Sequence, residues 1–269
     1  MITLAEDCFG IIFEIQPEKR LKMKKLLAIF CIVFTASLAN AQPPTYDDLK
    51  VLYADANYEK LAKVASGYTE KDKTKKDILP YIWLSKGLYK ISLSGTSDER
   101  FKNAYKDAIK YLKKGLKYDI KYNEGATFEE HREFLDEFQA SLVEVIDNEV
   151  SAGNYRKSYG WVIKYNSITV NAVGPKFMMG ACKFQDQDKP SARTFWQEGN
   201  AMLEEIESID SWSEADKLML KLGVLHSAAA MKKGRQEEKA QQLVNKVAQW
   251  FEDDENWQER YDEIVNSGS

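Results

Sequence analysis

His131 and His226 are the chain's histidines, and they fall on separate predicted helices. Neither has a second His or a Cys three or four residues away, so the ligand spacing that holds a zinc or similar ion is missing, and no metal is expected. Cys182 could act as a nucleophile only beside a base and an oxyanion donor, and neither is identifiable around it; its plain reading is a small buried apolar residue. Glu129/Glu130, Glu204/Glu205 and Glu237/Glu238 are adjacent in sequence. Neighbours on a helix point in different directions, so these pairs do not face one another across a cleft as the carboxylates of a glycosidase must. The glycines are scattered at helix ends and form no phosphate-cradling loop. No catalytic residue and no cofactor site is therefore expected. Trp161 and Trp196 are the aromatics that a glycan-binding protein or hydrolase could use with the scattered carboxylates, provided that they share an open cleft.

Charge narrows the partners further. The 269 residues carry 38 Lys and Arg against 42 Asp and Glu, a formal net charge of −4. Nucleic acid is excluded as the main partner, because neutralising phosphates takes a basic excess gathered on one face. Lys106, Lys110, Lys113, Lys114, Lys117 and Lys121 do recur at three- and four-residue steps along one side of a predicted helix. Such a stripe is read as a solvated outer face, with contact to an acidic surface as the alternative. Asp253, Asp254 and Glu255 are read as solvation near the end of the chain.

The first forty residues read as an export signal. Met23, Lys24 and Lys25 precede an almost wholly apolar run from Leu26 to Leu38, and Ala39 and Ala41 are the small residues a signal peptidase selects. The run is roughly 13 residues, short of the roughly 20 that span a bilayer as a helix. Cleavage between Ala41 and Gln42 is expected, with a periplasmic or secreted product. Translation is expected to begin at Met23, with residues 1–22 lying upstream of the true start. Cys31 follows Ile29 and Phe30, so lipid attachment there is not expected, and any membrane association would run through a partner. Cys182 then remains alone in residues 42–269, which must be stabilised by a core without a disulfide.

Helices dominate that region. Leu49, Leu52 and Tyr53 share one face of 46–56, and Leu61, Val64, Ala65 and Tyr68 share one face of 58–68. A buried helix follows over 77–93, then the lysine-striped helix over 101–118 with Ser97 as a candidate cap. Thr127 is the expected cap of a long helix reaching to about Ala152, whose return partner is 155–168. Hairpins over 176–209 and 214–251 come next, the second capped by Asp210 or Ser213. The amphipathic segment 257–265 is expected to cover the last apolar surface.

One register recurs in these helices. Gly180, Ala192, Trp196 and Gly199 show it most fully, and it returns as Tyr105, Ala108, Leu112, Gly115 and as Gly153, Tyr155, Ser158, Val162. Small residues at that spacing let two antiparallel helices touch at one level and wedge a large side chain at the next. At these positions, best over 173–206, the chain resembles the tetratricopeptide repeat (TPR) family. The equivalent second-helix residues Leu61, Ala108, Ser158, Ala192 and Ala240 are separated by 47, 50, 34 and 48 residues, so one interval has the family's period. The resemblance implies an all-α fold, a right-handed stack of about five antiparallel helix hairpins (a TPR-like α-solenoid) with a C-terminal capping helix. It also implies a protein-binding scaffold whose groove is lined by first helices: Tyr81, Leu84 and Leu88; Phe177, Ala181, Phe184 and Gln185; Leu220 and Val224. The same apolar side chains can equally be core. A protein or peptide partner, of unspecified identity, is expected. The alternatives are a structural subunit of an outer-membrane assembly or secretion complex, and the glycan-binding protein or hydrolase named above.

Overall fold

Helix starts follow from local chemistry. Asp188 accepts the Ser191 N–H at 3.2 Å with Pro190 in the first turn, Ser213 accepts the Asp216 N–H at 3.1 Å, and Asp254 accepts the Trp257 N–H at 2.9 Å. Each fills a backbone donor that a helix N-terminus leaves open. The computed structural model describes residues 44–266; the expected export signal, with Ala41 and Gln42, lies outside them. From Tyr46 onward the chain forms one unit. Its helices are α1 Asp47–Ala54, α2 Tyr58–Glu70, α3 Ile78–Ser94, α4 Ala104–Asn123, α5 Ala126–Glu129, α6 Arg132–Ser151, α7 Tyr155–Asn166, α8 Val173–Gln185, α9 Lys189–Leu203, α10 Glu214–Lys233, α11 Glu237–Val247 and α12 Glu255–Val265. There is no strand among the described residues.

Four corners share one geometry. Ala56, Gly153, Gln187 and Arg235 take positive φ of 54°, 75°, 68° and 58°. The next residue's N–H then reaches back five positions, from Asn57 to Leu52 O, Asn154 to Glu149 O, Asp188 to Lys183 O and Gln236 to Met231 O, at 2.8 to 3.0 Å. These are Schellman stops, and they bring α2, α7, α9 and α11 back against the helices before them.

Small residues set how closely the helices then pack. Ala108, Ala192 and Ala240 are fully buried. A Cβ on Gly180 would stand 2.3 Å from Trp196 Nε1, and one on Gly199 would stand 3.2 Å from the Phe177 ring, so α8 and α9 meet tightly at both glycines, and at Gly180 an added Cβ would displace the Trp196 indole. The Trp196 indole donates to Ser227 Oγ at 2.8 Å, and Ser227 donates to Phe177 O at 2.7 Å. That chain of bonds ties α8, α9 and α10 together with no buried donor wasted.

α3 packs between α2 and α4, and α8 packs against α7, α9 and α10. α10 touches four helices, α6, α8, α11 and α12. Side chains carry α3 onto α6, through the Tyr89 ring 4.8 Å from Phe138 and the Lys90 to Glu137 bond at 2.9 Å. The buried apolar residues form two clusters, one mainly from α1 to α7 and one mainly from α8 to α12.

The structure corrects some expected boundaries. The stretch from Thr127 to Ala152 is two helices, because the buried Asp119 carboxylate accepts from the N–H groups of Thr127 and Phe128 at 3.3 and 2.8 Å and holds α5 as a separate turn. Thr127 lies inside α5 and does not cap α6. Asp98, rather than Ser97, caps the short turn 99–101 before α4. The first arm of the hairpin expected over 176–209 begins earlier, at Val173, with Gly174 and Pro175 in its first turn.

Candidate functional site

A groove of about 620 Å³ opens where α4, α6, the turn 167–171 and the approach to α10 converge. Leu116 and Ile120 of α4 and Leu135 of α6 form one side, and Ile168, Val170 and Trp212 the other. Val170 is 85% exposed and Ile120 64% exposed, so each rim carries an apolar side chain in water. Lys113 and Lys117 stand one turn apart on the α4 rim, both exposed, because residues four apart share a helix face. Arg132 lies at the start of α6, where its Nε donates to both Glu129 carboxylate oxygens at 2.9 and 3.0 Å.

The groove's far wall is fixed by a buried carboxylate. Asp216 Oδ1 accepts from the Tyr165 and Thr169 hydroxyls, both at 2.6 Å, and Oδ2 accepts from Asn171 Nδ2 at 2.8 Å. Neutral donors thereby compensate a charge taken out of water, and they pin the turn to α10. Gln139 Nε2 donates to Ile168 O at 2.8 Å and pins the same turn to α6. Burial, and then the neighbouring Asp216 charge, pushes the Tyr165 hydroxyl far above the ordinary tyrosine range. Asp136, behind Arg132, is also pushed upward, by burial against the opposing pull of Arg132.

None of the residues expected to line a groove lies in this one. Tyr81, Leu84, Leu88, Phe177, Phe184 and Leu220 are buried in the core, as are Ala181 and Val224. Tyr81 donates to Lys75 O at 2.8 Å, and Phe184 packs 5.8 Å from the Trp196 ring. The physical reason is that α3 and α8 are covered by helices on more than one side, which leaves no free face for a ligand. Gln185 is half-buried and accepts from Lys233 at 3.0 Å. Trp196 is in the core bonded to Ser227, whereas Trp161 packs 5.9 Å from Tyr105 in the other cluster. The two tryptophans share no cleft.

Other titratable groups are arranged structurally. Cys182 and His226 line a small cavity of about 70 Å³ with Gln185. Burial pushes the Cys182 thiol up to about 11 and lowers His226, so at neutral pH the thiol keeps its proton and is a poor nucleophile. His131 is half-buried at the entry to α6, near Lys86 Nζ at 3.4 Å, and is lowered by burial and by that lysine. Lys86 itself lies 4.8 to 5.8 Å from the Trp83, Phe134 and Tyr53 rings and is lowered by burial. A wider hollow of about 940 Å³ beside α10 and 249–254 is lined by Lys217, Lys221, Asp253 and Asp254. Lys217 bonds Glu214 and Lys221 bonds Asp254 there, so both lysines are already paired.

Among the described residues no group of three or more His, Cys, Asp or Glu could hold a metal ion, and no helix is long and apolar enough to cross a membrane. The groove residues Lys113 and Lys117 belong to the lysine stripe visible in the sequence. Val170 and Trp212 carried no comparable signal, since both sit in short irregular connections. In comparison with known proteins, no family model matches the chain and no curated protein matches it significantly.

Proposed function

We propose that the chain is an exported, non-enzymatic scaffold, a TPR-like right-handed stack of helix hairpins, which holds a protein or peptide segment in the groove between α4, α6 and the turn 167–171. The single observation that carries this reading is the groove: apolar side chains rim it in water, and its backbone is pinned on both sides before any ligand arrives. A preformed concavity lowers the ordering cost of binding, and covering the apolar side chains it exposes favours a ligand. The helix nesting around Gly180, Gly199 and the shared corners supports the repeat-stack part of the reading. The export part rests on the signal over 23–41.

The test is site-specific photocrosslinking in the native cell envelope. A photoreactive phenylalanine analogue at Val170 is expected to capture a discrete polypeptide, and the same analogue at Glu259 on α12 is expected to capture none. A folded protein that yields no crosslinked polypeptide at Val170 removes the groove as a binding site. Recovery of the protein from the cytosol with residues 23–41 still attached removes export.

A further inference from the structure

The charges around the groove are not equally free. Asp216 has both carboxylate oxygens occupied by the Tyr165, Thr169 and Asn171 donors, and Glu129 is engaged by Arg132. Lys113 and Lys117, by contrast, have no carboxylate within ion-pair distance among the described residues. The exposed rim of the groove thus offers a ligand two unpaired positive charges, while the negative charges of Asp216 and Asp136 are set into and behind its wall and Glu129 is paired. Its walls between the lysines and the turn are Leu116, Ile120, Leu135 and Val170.

We infer that the occupant of this groove is a polypeptide segment in which acidic residues flank apolar ones. This rests on the binding reading above and specifies the chemistry of the partner. Lys113 and Lys117 rise one helical turn apart, roughly 6 Å along α4, so they meet two carboxylates spaced by about one turn or two extended residues. Apolar side chains next to those carboxylates in the segment enter the cleft and cover Ile120 and Val170. A basic or uncharged segment gains the apolar contact and leaves the lysines facing it unmatched. A flat anionic bilayer meets the lysines and fails to fill the concavity.

The test is peptide display with the full chain as bait and a random-peptide library as probe, followed by binding measurements on the selected peptides. Enrichment of Asp and Glu beside Leu, Phe or Ile is expected. Lys113→Glu with Lys117→Glu is expected to weaken those peptides about tenfold or more, each tenfold being about 1.4 kcal/mol, whereas Glu259→Lys leaves them unchanged. Raising the salt concentration weakens them as well. Selected peptides that are basic or neutral, or that Val170→Asp displaces while the lysine reversals do not, overturn the acidic occupant and leave the groove reading standing. Retention of no peptide by a bait with an intact helical circular dichroism spectrum overturns both. Capture of phosphatidylglycerol vesicles through the same lysines, without any peptide, overturns the polypeptide occupant in favour of a membrane.

Discussion

Gly223 of α10 lies against Gly174 of α8 so closely that a Cβ on Gly223 would stand 2.4 Å from the Gly174 carbonyl oxygen. The obstruction is backbone, which cannot swing aside as a flexible side chain does. Gly223→Ala is therefore expected to cost about 2 to 3 kcal/mol, the upper range for overpacking, read as a lower urea midpoint at unchanged slope. Gly67, in the last turn of α2, has nothing within 4 Å of its added Cβ. There alanine should stabilise by about 0.5 to 1 kcal/mol. Equal effects at the two positions would sink this account of the α8–α10 contact.

Asp216 holds the groove's wall through three donors, so changing it should loosen that wall more than the rest of the fold. Asp216→Asn turns one accepting oxygen into an amide that confronts the Asn171 donor, at a cost of about 1 to 3 kcal/mol. Hydrogen exchange at residues 168–171 should quicken while exchange in α2 and α3 stays as it was. Uniform quickening would mean that the tie is global and not specific to the groove.

The left-handed corners offer the opposite sign. Ala56, Gln187 and Arg235 occupy a backbone region that costs a side chain about 1 kcal/mol, whereas Gly153 occupies it freely. Replacing each of the three by glycine should stabilise by roughly 0.5 to 1 kcal/mol, after the entropy glycine adds to the unfolded chain is discounted. Thermal unfolding of the single and triple variants checks the sign and the additivity.

Stability should also fall as the solution is acidified from pH 7.5 to 5.5. Burial lowers His226, and burial with Lys86 lowers His131, below the ordinary value of 6.5. Both rings are neutral in either state above that value. Below it the unfolded chain takes up protons first, so stability present at higher pH is lost as pH falls through the folded values. His226→Gln should flatten part of the slope, and adding His131→Gln should flatten more. Asp136 behaves in the reverse sense: its raised value means that stability is lost as pH rises through it, at the acidic end of the range. Asp136→Asn should therefore stabilise at neutral pH and make no difference well below pH 4.

The hairpin interiors were legible in the sequence because a small residue at a helix crossing is a local signal. Ala108, Ala192 and Ala240 stood out by type and spacing, and all three are fully buried. The groove was not legible, because its parts are distant in the chain. Thr169 and Asn171 meet Asp216 across 47 and 45 residues, and no periodicity foretells such a bond. The first-helix residues Tyr81 and Phe177 were placed at a surface by family resemblance. Their burial follows from how α3 and α8 are enclosed, which depends on tertiary packing that α10 in part supplies. The break before α6 was hidden for a similar reason, since Asp119 caps α5 from the helix before it.

In a strictly linear array each unit leans on its two neighbours, and units can be trimmed from an end at modest loss. Here α10 leans at once on α6, α8, α11 and α12. Cutting the chain before Glu214 would expose apolar flanks on helices far apart in sequence, so such a fragment should aggregate and not persist as a shorter monomer. The C-terminal helices are accordingly obligatory partners of the middle of the chain, and melting should proceed there in a single concerted step.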